Sequence, residues 1–177
     1  MSTQWIFDPT HSELTFKVKH LMITNVKGAF NSFTATLEGG DDTLHGAVAG
    51  ASIEVASINT NNTDRDNHLK SGDFFDAANY PTITFTSNPA GSFQGGHASL
   101  SGNLTIKGIT KEITMQVAFG GISKDPWGNE KAGFSLSGAF NRTDFGLSWN
   151  AALETGGVLL SEEVKFEAEV QFVKKSA

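Results

Sequence analysis

The sequence predicts an all-β chain, and three observations carry that prediction. Apolar and polar residues alternate with period two in run after run. Gly, Asn, Asp and Pro punctuate the runs at short intervals. Hydrophobic residues make up only 38% of the chain and charged residues 18%, so exposed faces must lean on Ser, Thr, Asn and Gly, a mix that favours strands over helices. The 177 residues suit one domain, residues 1–177, with no repeat or linker dividing them.

Taken in order, Leu14, Phe16, Val18 and His20 oppose Glu13, Thr15, Lys17 and Lys19, which marks the first strand. Val26 to Glu38 and Leu44 to Ser57 give the second and third, joined by a turn at Gly39-Gly40-Asp41-Asp42. From Asn59 to Pro81 no alternation is found. This stretch holds Thr63-Asp64-Arg65-Asp66, a plausible helix start, and Asp73, a cap for a short turn through Phe74 to Ala77. It reads as a helical crossover after the third strand, covering one end of the sheet. Thr82 to Ser87, Ala98 to Ile106, the run Ile113, Met115, Val117 and Phe119, and Lys131 to Asn141 add four strands. The clearest is the last: Val164, Phe166, Ala168, Val170 and Phe172 alternate with Glu163, Lys165, Glu167, Glu169 and Gln171. The tail from Lys174 to Ala177 is expected to fray. Short connections predict antiparallel neighbours, and eight strands with one apolar face each must close into a barrel or stack as two sheets. Periodicity leaves both open.

A formal net charge of −6 argues against a nucleic-acid partner, because such binding rests on basic side chains neutralising phosphates. The absence of Cys removes disulfides, thiolate metal sites and a cysteine nucleophile. His11 and His20 fall on opposite faces of one uninterrupted strand, so they cannot share a metal, and no metal or cofactor is expected. Met1-Ser2-Thr3-Gln4-Trp5 has neither the basic region nor the apolar segment of a signal peptide. A cytoplasmic location is the expectation, although a chain trimmed to its mature form would read the same. The sequons at Asn61, Asn103 and Asn141 carry no weight without export. No nucleophile elbow, phosphate loop, dinucleotide fingerprint or zinc-protease motif is present, and no catalytic residue is nominated.

The aromatic residues are 14 Phe against three Trp and one Tyr, and Phe16, Phe30, Phe33, Phe85, Phe119, Phe134, Phe140, Phe166 and Phe172 lie on expected strands. They make either an ordinary core or an apolar tunnel. Ala35, Ala49, Ala51, Gly102, Gly138 and Ala168 share the inward faces, which leaves room for a tunnel but also suits barrel corners. His20 is read first as a structural histidine bonded to a carbonyl and second as a donor to a ligand's head. Arg142 could tie its turn through a salt bridge to Asp144 or hold an anion at a pocket mouth. The charged run Asp64 to His68 is read as a solvated helix face.

Several ordered blocks resemble one family. They are Trp5-Ile6-Phe7-Asp8-Pro9-Thr10-His11-Ser12, Phe16-Lys17-Val18-Lys19-His20, Gly28-Ala29-Phe30, the run from His68 to Ala77, and Tyr80 to Phe85. Gly102 to Thr110 and Arg142-Thr143-Asp144-Phe145-Gly146-Leu147 follow. From Trp5 to Phe172 the chain resembles the YceI-like, polyisoprenoid-binding family. The resemblance implies a lipocalin-like, eight-stranded antiparallel barrel that holds a polyisoprenoid or other long-chain lipid, commonly as a homodimer; a barrel enzyme acting on such a lipid is the alternative. It shifts the Phe stripe from core toward tunnel. The ligand-binding residues expected on that basis are Phe16, Val18, His20, Phe30, Ile53, Phe85 and Leu104, then Met115, Val117, Phe119, Phe134, Leu136, Phe140, Arg142, Phe166 and Val170. Lys165, Glu167 and Glu169 should face water.

Overall fold

The strand with the strictest alternation is also the one on which the barrel closes. In the computed structural model, which describes residues 4–21, 23–40, 43–150 and 160–175, this strand pairs with neighbours on both sides. It is the last of eleven: β1 (Trp5–Phe7), β2 (Glu13–His20), β3 (Thr24–Phe30), β4 (Phe33–Glu38), β5 (Val48–Glu54), β6 (Ile58–Asn59), β7 (Thr82–Ser87), β8 (His97–Ile106), β9 (Ile109–Lys124), β10 (Glu130–Asn141) and β11 (Leu160–Lys174). One edge of β11 takes β10, and the other takes β1 and β2 in succession. All the ladders are antiparallel.

Eight runs were expected; two of them are bent strands that break in two, and β1 is an added short strand. The run Val26 to Glu38 breaks at Asn31 and Ser32 into β3 and β4, and its partner breaks at a tight turn over residues 55–57 into β5 and β6. The two breaks are matched. Asn31 N–H donates to the Ser57 carbonyl at 3.1 Å and Glu54 N–H to the Ser32 carbonyl at 3.0 Å, so β4 stays paired with β5 and β3 with β6 on either side of the corner. Leu44, expected in a strand, sits before β5 with φ of 67°. Because β2 pairs with β3 and an isolated bridge joins Gln4 to Glu38, the ladder runs round to its start. Lys174 pairs with Trp5, and Lys175 N–H donates to the Gln4 carbonyl at 2.9 Å, which corrects the expected fraying at these two residues. Asp41, Asp42, Ser176 and Ala177 lie outside the described residues.

His11 is not on a strand. Residues Pro9–His11 form a single turn between β1 and β2, with Asp8 as its cap. The Asp8 carboxylate accepts from the Thr10 hydroxyl at 2.7 Å and the Thr10 N–H at 3.0 Å, and contacts His11 Nδ1 at 2.8 Å. The Thr10 hydroxyl, followed by His11 and the Thr10 amide, holds the Asp8 carboxyl down at about 2 against burial, which pushes the other way. The folded value lies below the ordinary 3.8. The stabilisation is therefore complete above that range and is lost as pH falls toward about 2. Asp8→Asn should flatten the acid limb of the stability curve, as measured by urea unfolding across that interval.

The crossover carries helix α1 (Thr63–Lys70), whose N-cap is Asn62 and not a residue of the expected start; its side chain accepts from Arg65 N–H at 3.0 Å. The charged run on this helix is more than a solvated face. Asp66 accepts from the Thr60 N–H and hydroxyl at 2.8 and 2.6 Å, and Arg65 donates to the Thr60 hydroxyl and carbonyl at 2.8 and 2.7 Å. These bonds clamp α1 across one end of the barrel. Phe74, which follows it, is buried in the main apolar cluster with Phe30, Ile58 and Phe145.

Candidate functional site

The inward faces do not meet. They enclose a cavity of about 430 Å³, large enough for a small organic ligand. Phe16, Val18 and His20 line it from β2, Phe30 from β3, Ile53 from β5, Phe85 from β7 and Leu104 from β8. Met115 and Val117 line it from β9, Phe134, Leu136 and Phe140 from β10, Phe166 and Val170 from β11, and Arg142 from the turn after β10. Ala35, Ala49, Ala51 and Ala168 lie among them. Lys165, Glu167 and Glu169 are exposed on the outer face of β11.

Phe119 departs from the expectation. The pairing of β9 with β10 shifts between Gly133 and Phe134, so that Gly133 faces Gly121 while Phe134 faces Phe119. Beside this bulge the Phe119 ring packs edge-on against Phe93 and Phe134, with centroids 5.7 and 5.0 Å apart, and does not line the cavity. It belongs to a second apolar cluster that includes Leu37, Leu44 and Phe172.

A Phe-rich interior leaves space because its rings lie against the wall. A Cβ at Gly138 would fall 2.6 Å from Phe166 Cζ, and one at Gly28 would fall 2.5 Å from Phe16 Cζ. Gly138 is the direct cross-strand partner of Phe166, and Gly28 of Phe16. Each ring therefore covers the neighbouring glycine, an aromatic seat that also completes a weak strand position. Gly102 is covered likewise by Phe85. Gly102 and Gly138 thus make room by seating rings and do not themselves line the tunnel.

Polar side chains gather at one end. Arg142 is 3% exposed, with Nε donating to the Ser161 carbonyl at 2.8 Å and Nη1 to the Leu147 carbonyl and, at 2.9 Å, to the Trp149 carbonyl. The tied turn is real, but carbonyls tie it; Asp144 is exposed and forms no ion pair with Arg142. Gly146, at φ of 74°, lets the chain double back so that these carbonyls face the guanidinium. Nη2 is buried, with no hydrogen-bond partner among the described residues. Burial lowers the Arg142 pKa and Glu162 opposes that shift. His20 faces the same cavity, and among the described residues its ring has no hydrogen-bond partner, contrary to the carbonyl-bound histidine expected. His68 and Arg65 from α1 and Trp149 from the turn region also line the cavity. His68 Nε2 lies 2.9 Å from Asp73 Oδ2, and its ring meets Trp149 edge-on at 4.8 Å. Sequence reasoning missed these three, because they come from segments without periodicity; the resemblance block from His68 to Ala77 was the available signal. Among the described residues no cluster of His, Asp or Glu could hold a metal ion.

The YceI-like domain model matches residues 5–172. The chain belongs to the YceI-like family. A Staphylococcus aureus relative of this YceI-like protein, the UPF0312 protein SAS2572, is 45% identical over 171 residues, covering 96% of this chain and 97% of the relative. The crystal structure of a Campylobacter jejuni YCEI protein is similar at 36% identity with a TM-score of 0.76, covering 89% of this chain and 90% of that one. Burkholderia cenocepacia BcnA reaches a TM-score of 0.79 at 22% identity, covering 93% and 98% of the two chains. A polyisoprenoid binding domain from Saccharophagus degradans reaches 0.74 at 17% identity, covering 98% and 99%. At such identities the last two show the shared fold, the curled antiparallel barrel of the lipocalin-like class.

Proposed function

We propose that this YceI-like protein holds the tail of a polyisoprenoid or comparable long-chain lipid in its barrel, for carriage, storage or sequestration. The observation that carries this reading is an apolar cavity of about 430 Å³ with its cationic side chains confined to one end. The polyisoprenoid-binding domain of the same fold supports the ligand class. Burying a tail gains about 0.8 kcal/mol per methylene, offset by ordering and association costs. Arg142 and His20 stand at the polar end and orient the head; His20→Ala should alter preference among head groups. Organic extraction of native protein followed by mass spectrometry should return a stoichiometric amphiphile. Phe166→Leu or Phe134→Leu should change its chain length or occupancy, while Lys165→Gln and Glu167→Gln should leave both as they were. An empty extract, with no uptake of added isoprenoid quinone or polyprenyl phosphate, would refute the reading.

One observation favours an enzyme as the second reading: Asp73 and His68 form a carboxylate–imidazole pair at the cavity's end. The nearby Ser71 hydroxyl donates to the His68 carbonyl and not to its ring, so the pair lacks a serine nucleophile. We favour binding over catalysis; chemical change in a lipid incubated with wild type but not with His68→Gln would reverse that preference. Cytoplasmic location, a homodimer and the lack of a nucleic-acid partner are further proposals, checked by cell fractionation, light scattering and gel-shift assay. Exposed Ile6, Ile122 and Trp127 offer apolar surface for a second copy.

A further inference from the structure

The outer surface beside the polar end of the cavity combines two features that ordinary strand surfaces avoid. Phe16, Val18 and His20 face inward, so Lys17 and Lys19 of β2 face outward. The register sets Lys17 directly between Lys27 of β3 and Lys165 of β11. Three ammonium groups thus stand in one cross-strand row, on strands about 4.8 Å apart, where like charges repel. Of these three, only Lys165 has a carboxylate in reach among the described residues, Glu163 at 3.9 Å. Among the described residues Lys17, Lys19 and Lys27 form no ion pair. In a chain of net charge −6 this is a local reversal of sign.

The same strands end in an apolar tip. Leu21 and Ile23, in the turn between β2 and β3, are 40% and 77% exposed. Leu21 immediately follows His20, which lines the polar end of the cavity.

We propose that this tip and lysine patch form a docking surface for an anionic lipid bilayer, with Leu21 and Ile23 entering the interface and Lys17, Lys19, Lys27 and Lys165 meeting acidic headgroups. Charge complementarity selects the occupant: in an acidic chain, a row of cations beside exposed aliphatic side chains suits an anionic apolar interface. Docking there would bring the polar end of the cavity against the membrane. The inference concerns the outer surface and is read on whole protein whether or not the cavity is filled. Its failure therefore leaves the ligand reading standing, and the reverse holds as well.

Flotation with phosphatidylcholine vesicles, with and without phosphatidylglycerol, tests it. Binding should require the anionic lipid and weaken as salt is added. Each of Lys17→Gln and Lys27→Gln should weaken it by about five-fold, with a thermal midpoint equal to or above wild type because repulsion is relieved. Ile23→Ser should weaken it too, whereas Lys111→Gln, on a different strand, should not. Equal binding to both vesicle types, no binding at low salt, or unaltered binding by the lysine variants would overturn the proposal. So would an acidic protein partner that depends on these lysines in the absence of vesicle binding.

Discussion

Arg142→Met should destabilise the protein by about 2–4 kcal/mol in urea unfolding, because buried carbonyls that lose their donor each cost about 1–3 kcal/mol. Three carbonyls, those of Ser161, Leu147 and Trp149, depend on this one guanidinium. Two opposing effects set the sign. Met removes the desolvation cost of a buried cation, but it leaves the doubled-back turn without its tie. The carbonyls outnumber the charge, so loss of stability should win. Arg142→Lys keeps the charge and loses the planar fork, and should recover only part of the loss. A Met variant as stable as wild type would show that the turn holds itself, leaving ligand contact as the reason for the arginine.

Gly138→Ala should expel ligand while the barrel still folds. The new methyl would meet Phe166 Cζ at 2.6 Å, and the ring, which packs tilted against Phe140 at 6.3 Å, must swing off the wall into the cavity. Such overpacking costs about 1–3 kcal/mol, and the displaced ring takes the space of the tail. Gly28→Ala should displace Phe16 likewise and, because its methyl also meets Thr60 Cγ2 at 2.9 Å, should strain the clamp on α1 as well. Pairing Gly138→Ala with Phe166→Leu should restore much of the stability and part of the occupancy, giving a coupling measurable in a double-mutant cycle. Gly102→Ala differs in kind, since its methyl would meet the Thr86 carbonyl oxygen at 2.5 Å and Ser87 Cα at 2.6 Å. Backbone cannot swing aside as a ring can, and this variant should be the least stable of the three.

The strands were legible wherever one face is wet, as in β11, because alternation reports the environment of each side chain directly, whereas closure into a barrel was not, since the same alternation fits two stacked sheets. The corner at Asn31 and Ser32 was not legible: it depends on the matching break beyond Glu54 in a partner strand, which no local pattern encodes. Phe119 illustrates the same limit. Its period places it inward, yet beside the register shift at Gly133 it packs on Phe93 and Phe134 and does not line the cavity. The polar end was half legible. His20 and Arg142 stand at strand ends, but Trp149 and His68 arrive from non-periodic segments whose positions only the finished fold determines. Sequence offers Gly138 as tunnel space or as a barrel corner, whereas in the fold it seats the Phe166 ring.

The pairing of β11 between β10 and the first two strands bears on the order of folding. A ribosome releases β2 long before β11, so β2 waits for the last strand before its second edge is covered. Until then the nascent sheet carries open edges and a wet aromatic face. Closure depends on contacts of great sequence separation, such as Phe16 with Phe166, which makes for slow folding. A chain halted before Leu160 would present those edges to its neighbours, and aggregation rather than a smaller barrel is its expected fate.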